Sequence, residues 1–205
     1  SATEEGNAMI SYAAYVKSLA DALDKIDCAA FDALAAALRD VHGRDGMVLI
    51  CGNGGSAATA SHMVNDLVKA PSDASGCRPF RALGLTDCVP LMTAYANDLD
   101  YASIFAKQIE ALGRRGDLLI AFSGSGNSPN VLEAARAARR CGMTVAGLTG
   151  FQGGRLKDLV DIHINVPCSC MAQVEDAHLI LEHAVVEVLK EAFGGVSGAC
   201  PPPPS

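Results

Sequence analysis

An α/β fold, with a parallel sheet covered by helices on both faces, is the architecture this sequence predicts. Three observations carry the prediction. Apolar runs of strand length alternate with segments of helical periodicity along most of the chain. The runs Met47–Cys51, Asp117–Phe122 and Thr144–Thr149 are nearly continuous in apolar residues, as strands buried on both faces are. Two of these runs pass into a Gly- and Ser-rich loop that leads directly into a helix.

Each element has its own signal. Residues 8–41 carry apolar side chains at helical spacing, interrupted near Asp24–Asp27, which predicts two helices. The second holds Phe31, Leu34, Ala35 and Leu38, and Gly43 and Gly46 stop it. Met47–Cys51 is the first strand, followed by a helix from Ser56 to about Lys69. Phe80–Leu85 and Tyr101–Leu112 are the next strand and helix, and Asp117–Phe122 and Pro129–Arg140 the pair after them. Thr144–Thr149 is a strand, and Asp161–Val166 alternates in polarity, which places it near an edge. A long helix from about Val174 to Phe193 closes the unit. Gly194–Ser205 contains four consecutive prolines and is expected to be a disordered tail. The expected organisation is one domain over 44–193, with a helical arm over 1–43 that is part of the same unit.

Composition narrows the class of partner. The 205 residues are 50% hydrophobic and 19% charged, enough to fill a sizeable core. With aromatics at 5% and no Trp, that core must be built from Ala, Val, Leu and Ile. A net charge of −7 argues against nucleic acid or an anionic membrane, since both need a basic face. No apolar run reaches the ~18 residues of a membrane span, and the first residues lack the pattern of a secretion signal. The 8 cysteines are scattered, and Cys168 and Cys170 are too close for a two-Cys metal knuckle. Reduced thiols and a cytoplasmic setting are expected.

The two loops carry the first chemistry. Gly52-Asn53-Gly54-Gly55-Ser56 and Ser123-Gly124-Ser125-Gly126-Asn127-Ser128 both stand between a strand and a helix. In an open parallel sheet ligands bind beyond the carboxyl ends of the strands. There, glycines let backbone approach the ligand, and the next helix offers free N–H groups and the positive end of its dipole. Three serines add hydroxyls, and the whole suits a phosphate monoester. Ser, Asn and Gly are also ordinary turn and N-cap residues, and Asn127-Ser128-Pro129 is a good helix start on capping grounds alone. Gly52-x-Gly54-x-x-Ala57 fits the permissive dinucleotide fingerprint, but Asp73, near the required distance, falls in a Pro/Ser/Gly-rich loop rather than at a strand end. Neither loop has the Gly-Lys-Ser/Thr ending of a P-loop. Nucleotide chemistry is disfavoured.

The second chemistry lies on helices. His62 and Asp66 are four apart, and Glu175 and His183 eight apart, so each pair shares roughly one helix side. Two histidines and two carboxylates fit a divalent-metal site, and equally fit proton transfer at carbon. Unrelated surface ion pairs would look the same on either helix alone. His178 follows Glu175 by one turn and suits either core or a supporting role; His42 and His163 have no such company.

Taken in order, Gly52–Ser56 with His62, Asn97-Asp98, the Ser123–Ser128 loop, Leu148–Gly150 with Gly153-Gly154, and the last helix with His178 and His183 resemble the sugar isomerase (SIS) domain family over about residues 8–193. The resemblance implies a three-layer αβα sandwich around a five-stranded parallel sheet, and a homotetramer with active sites at subunit interfaces. It places the phosphate on Ser123, Gly124, Ser125 and Ser128, and sets Asn53, Gly54, Ser56, Asn97, Asp98 and Glu175 towards the sugar. A divalent metal, zinc by family habit, would sit on His62, Asp66, Glu175 and His183. Asp66 stands where the family has Glu, Glu175 where it has Gln, and Ala70 beside Lys69 where it has Arg.

The activity implied is aldose–ketose isomerisation of a phosphosugar, sedoheptulose 7-phosphate to a manno-heptose 7-phosphate for bacterial surface polysaccharide, through an enediol(ate). Asp66 is the expected base and His183 its acid/base partner. Glu175 takes the base's role should Asp66 be engaged by a metal. Two other readings are a non-catalytic phosphosugar sensor or adaptor related to replication-initiator-binding proteins, and an isomerase of another phosphosugar. The joint presence of Asp66 and His183 favours an enzyme.

Overall fold

A computed structural model describes residues 11–194, with the backbone alone at 72–75. The expected tail lies outside the described residues except for Gly194, as does the start of the helical arm. The chain runs α1 (Tyr12–Leu23), α2 (Cys28–Gly43), β1 (Met47–Cys51), α3 (Gly55–Ser75), β2 (Arg81–Gly84), α4 (Val89–Asp98), α5 (Ala106–Leu112), β3 (Leu118–Ser123), α6 (Pro129–Arg140), β4 (Thr144–Gly150), β5 (Ile162–Val166) and α7 (Met171–Ala192).

The interruption at Asp24–Asp27 is a pair of helix ends. Ser11 caps α1 by accepting from the Ala14 N–H at 3.1 Å, and Asp27 caps α2 by accepting from the Ala29 N–H at 2.9 Å. All five strands are parallel, in the order β2-β1-β3-β4-β5. β3 is central and buried at every position, which is why its sequence shows no polar alternation. β5 is an edge strand and does alternate; β2, the other edge, is too short and half-exposed to show a pattern.

Two apolar clusters cover the sheet. On one face α2, α3 and α7 pack through Leu34, Leu38, Met63, Leu67, Val174 and Val185; on the other, α5 and α6 pack through Ile109, Val131, Leu132 and Ala135. Aromatics are sparse here, and Ala on α6 lets that helix lie close to the strands. The three-layer sandwich is therefore present.

Three elements differ from the sequence reading. Residues 71–75 continue α3 instead of forming a loop: Pro71 gives up one backbone donor, and the helix runs on past it. The expected helix at Tyr101–Leu112 is a 3-10 turn, Tyr101–Ser103, followed by the shorter α5, because the Asp100 carboxylate accepts from Ser103 N–H and Oγ and tightens the turn. α4 goes unread in the sequence, although Pro90 at its first turn is a helix-start signal. None of its residues is fully buried, and it rests on the α5/α6 side of the core through half-buried Met92, Tyr95 and Ala96.

Candidate active site

β1 and β3 are neighbours in the sheet, but the chain leaves β1 for β2 on one side and reaches β3 on the other. This is the switch point where an open parallel sheet has a crevice at its carboxyl end. The register pairs Cys51 with Ala121, so the Gly52–Ser56 and Ser123–Ser128 loops emerge side by side. Between them lies a cleft of about 200 Å³, lined by Asn53, Ser56, Ser123, Ser125, Ser128 and Glu175 among others. The N-termini of α3 and α6 both open onto it.

The serine loop is held from outside. The Gly150 N–H donates to the Gly124 carbonyl at 2.8 Å, and the Leu156 N–H to the Gly126 carbonyl at 2.9 Å. Gly126 has φ +63°, and a Cβ there would collide with the Gly153 carbonyl. Ser128 stands at the N-cap of α6 yet makes no side-chain capping bond; its Oγ is 3.5 Å from Ser123 Oγ. Capping therefore does not explain its hydroxyl, which lines the cleft instead.

Asn53 is fixed by a residue the sequence reading did not single out. Buried Asn130 exchanges two amide bonds with it, at 2.9 and 2.8 Å, and the Tyr101 hydroxyl donates to Asn53 Oδ1 at 3.3 Å. The only clue in the sequence is the polarity of Asn130 in the first turn of an otherwise apolar helix face. Asn97 and Asp98 are exposed at the end of α4, bonded to each other at 2.8 Å, and do not line the cleft.

Below the cleft, α3 and α7 pack together and bring His62, Asp66 and His183 into one group. His62 Nε2 and His183 Nε2 are 3.3 Å apart, and Asp66 Oδ2 lies 3.5 Å from the first and 3.8 Å from the second. Asn65 Nδ2 donates to Asp66 Oδ1 at 2.7 Å. The fourth carboxylate in the group is Glu182, with Oε2 3.4 Å from His183 Nε2. One ligand atom from each of these four residues falls within 4.8 Å of the others. Burial, with the Asp66 charge beside it, pushes the Glu182 carboxyl up to about 8. Two imidazoles and two carboxylates converging on one point fit a divalent cation.

Glu175, expected in that group, is elsewhere. Its carboxylate packs on Gly55 at the start of α3, where a Cβ would stand 2.5–2.6 Å from the carboxyl atoms. Eight residues of helix, about 12 Å of axis, separate it from His183, whereas Glu182 is its chain neighbour. His178 is core: it is 1% exposed, Nε2 donates to the Thr149 carbonyl at 3.2 Å, and burial pushes its pKa down to about 4. His163 and His42 likewise serve the frame, bonding to Thr149 Oγ1 at 2.8 Å and the Arg78 carbonyl at 2.9 Å.

The model of the SIS domain family matches residues 11–150. The chain belongs to the SIS domain family. A phosphoheptose isomerase of Burkholderia pseudomallei (strain 1710b) is 40% identical to this SIS-domain chain over 151 residues, 73% of the chain and 75% of the relative. Among solved structures, a phosphoheptose isomerase from Neisseria gonorrhoeae superposes with TM-score 0.80 at 34% identity, covering 87% of this chain and 96% of that one. Another, from Francisella tularensis, has TM-score 0.82 at 30% identity over 88% and 94%. Among the described residues of this SIS-domain protein, no helix is long and apolar enough to cross a membrane.

Proposed function

We propose that this SIS-domain protein is an aldose–ketose isomerase that converts sedoheptulose 7-phosphate to D-glycero-D-manno-heptose 7-phosphate. The observation that carries this reading is the serine-lined cleft at the β1/β3 switch point, with the His62/Asp66/His183 cluster on the two helices that flank it. Its relatives named phosphoheptose isomerase support the choice of a seven-carbon phosphosugar.

The phosphate binds on Ser123, Gly124, Ser125 and Ser128, neutralised by two helix N-termini rather than by Lys or Arg. Asn53, held by Asn130, presents its amide edge beside Gly54 and Ser56; Glu175 accepts from sugar hydroxyls at the same cleft. Seven residues, roughly 10 Å of α3, separate Gly55 from His62, so an extended sugar must bridge from cleft to cluster. There Asp66 takes a proton from C1 of the ketose, leaving an enediol(ate) across C1 and C2. Return of a proton to C2, with movement of a proton from O1 to O2, completes the aldose. His183 serves the oxygen end, and with His62 it would hold a divalent cation. When bound, a divalent cation, zinc in our reading, supplies polarisation of the carbonyl.

We place the protein in the cytoplasm, in heptose supply for surface polysaccharide, as a homotetramer. The unburied face of α4, with Val89 58% and Leu91 37% exposed and Leu99 55% exposed just beyond, supports a subunit contact there, and so would bring Asn97 and Asp98 to a neighbour's cleft. The test is incubation with ketose phosphates of five, six and seven carbons in deuterated water. Deuterium should enter the carbon beside the carbonyl of the seven-carbon substrate. Incorporation only into a shorter sugar would reassign the substrate, and none into any would remove the enzyme reading.

A further inference from the structure

We infer that Glu182 is a direct ligand of the divalent cation held by the His62/His183 cluster, the place that the family pattern gives to residue 175. The inference rests on the reading above that this cluster holds a cation, and adds a donor to it.

Glu182 is 1% exposed, on the side of α7 that packs against α3. Among the described residues, neither of its carboxyl oxygens has a hydrogen-bond partner. A buried carboxyl without a partner is costly in either protonation state, since the protonated form needs an acceptor and the ionised form needs donors or a counter-charge. What does face it is two imidazoles and a second carboxylate: His183 Nε2 at 3.4 Å, and His62 and Asp66 completing a group whose ligand atoms are all within 4.8 Å. Two ionised carboxylates this close repel each other, and a cation shared with the two ring nitrogens makes the arrangement favourable. Two neutral imidazoles and two carboxylates neutralise a divalent ion.

Glu175 is the competing fourth donor. It lines the phosphate cleft and packs on Gly55, outside the group of four.

The experiment is a zinc titration of the full-length, metal-stripped protein against a chromophoric chelator, repeated for Glu182→Gln and Glu175→Gln. Cobalt(II) absorption gives a second readout of the ligand set. Loss of an outer-sphere partner already costs ~10–100-fold in metal affinity, so Glu182→Gln should cost at least ~10-fold and alter the cobalt spectrum. Glu175→Gln should leave both unchanged. The metal-free Glu182→Gln protein should melt above the metal-free parent, because the unpaired buried carboxyl is gone. If Glu182→Gln does not fold, Glu182→Leu provides the same comparison. Wild-type zinc affinity in the Glu182 variant, or an equal loss in Glu175→Gln, overturns the inference. A parent protein that binds neither zinc nor cobalt overturns it too, together with the cation part of the proposed function, while leaving the isomerase assay to stand on its own.

Discussion

At the scale of single residues, the proposed chemistry separates into a carbon end and an oxygen end. Asp66, one methylene shorter than Glu, still reaches both imidazoles because α3 and α7 pack directly on each other. Asp66→Asn and His183→Ala should each lower kcat by at least ~100-fold with an unchanged circular dichroism spectrum. Near-normal turnover in both would dismiss them; a loss confined to Glu175→Gln would move the base to the cleft. Ser128 gives a cleaner division between binding and folding. Since its hydroxyl caps nothing, Ser128→Ala should raise KM for the phosphosugar and leave the melting temperature in place, whereas loss of a true cap would cost ~1 kcal/mol. His178 makes one contribution to the pH response. Its pKa is about 4 in the folded chain against 6.5 for the free side chain, so the unfolded chain takes up a proton first as pH falls. The His178 contribution to stability should fall by roughly 3 kcal/mol between pH 6.5 and 4, while the raised Glu182 carboxyl acts in the opposite sense between about 8 and 4.5. Urea denaturation at several pH values should show the stability difference between the parent and His178→Gln, which retains a donor for the Thr149 carbonyl, shift by about that amount as pH falls from 6.5 to 4; a pH-independent difference would refute the assignment.

At the scale of elements, the serine loop depends on the glycines that surround it. Gly126 combines a positive φ with contact against the Gly153 carbonyl, so no side chain fits without displacing one loop from the other. Gly126→Ala should destabilise the fold by more than ~1 kcal/mol and weaken phosphosugar binding together, measured by thermal melting and by KM. A variant that lost neither would show that the loop is not held this way. Most elements were legible because their period reports their burial: β3 reads as an unbroken apolar run and α6 as a strip of Ala and Leu with Arg opposite. α4 was not legible, since its core-facing stripe is only the half-buried Met92, Tyr95 and Ala96, and the exposed Val89 and Leu91 blur that pattern. The split of the expected helix near Tyr101 was missed for a related reason. It turns on a local side-chain bond from Asp100, which competes with the helix ladder without changing the hydrophobic pattern.

At the scale of the whole molecule, sheet order decides where chemistry occurs. The 2-1-3-4-5 arrangement opens a crevice between β1 and β3, and both glycine-serine loops end there. The apolar surface formed by Val89 and Leu91 of α4, with Leu99 beyond its end, stays exposed among the described residues. The double change Val89→Glu and Leu91→Glu should dissociate the proposed tetramer to smaller species in light scattering and lower turnover with it. An unaltered mass would place the subunit contact elsewhere.

By itself the sequence determined the class of fold, the two loops and the pair His62/Asp66, and it singled out His183, because periodicity and spacing are properties of one chain segment at a time. It also argued against stacking on a nucleotide base, through its shortage of aromatics, while leaving room for a small anion bound by hydroxyls and backbone. Only the tertiary structure decided which carboxylate joined the histidines. Glu175 and Glu182 lie on the same helix and are equal in chemistry, and no local rule ranks them. The packing of α3 against α7 seats one at the cleft and buries the other, without a hydrogen-bond partner among the described residues, beside His183. Distances between helices are set by the whole core, and that is information no single segment contains.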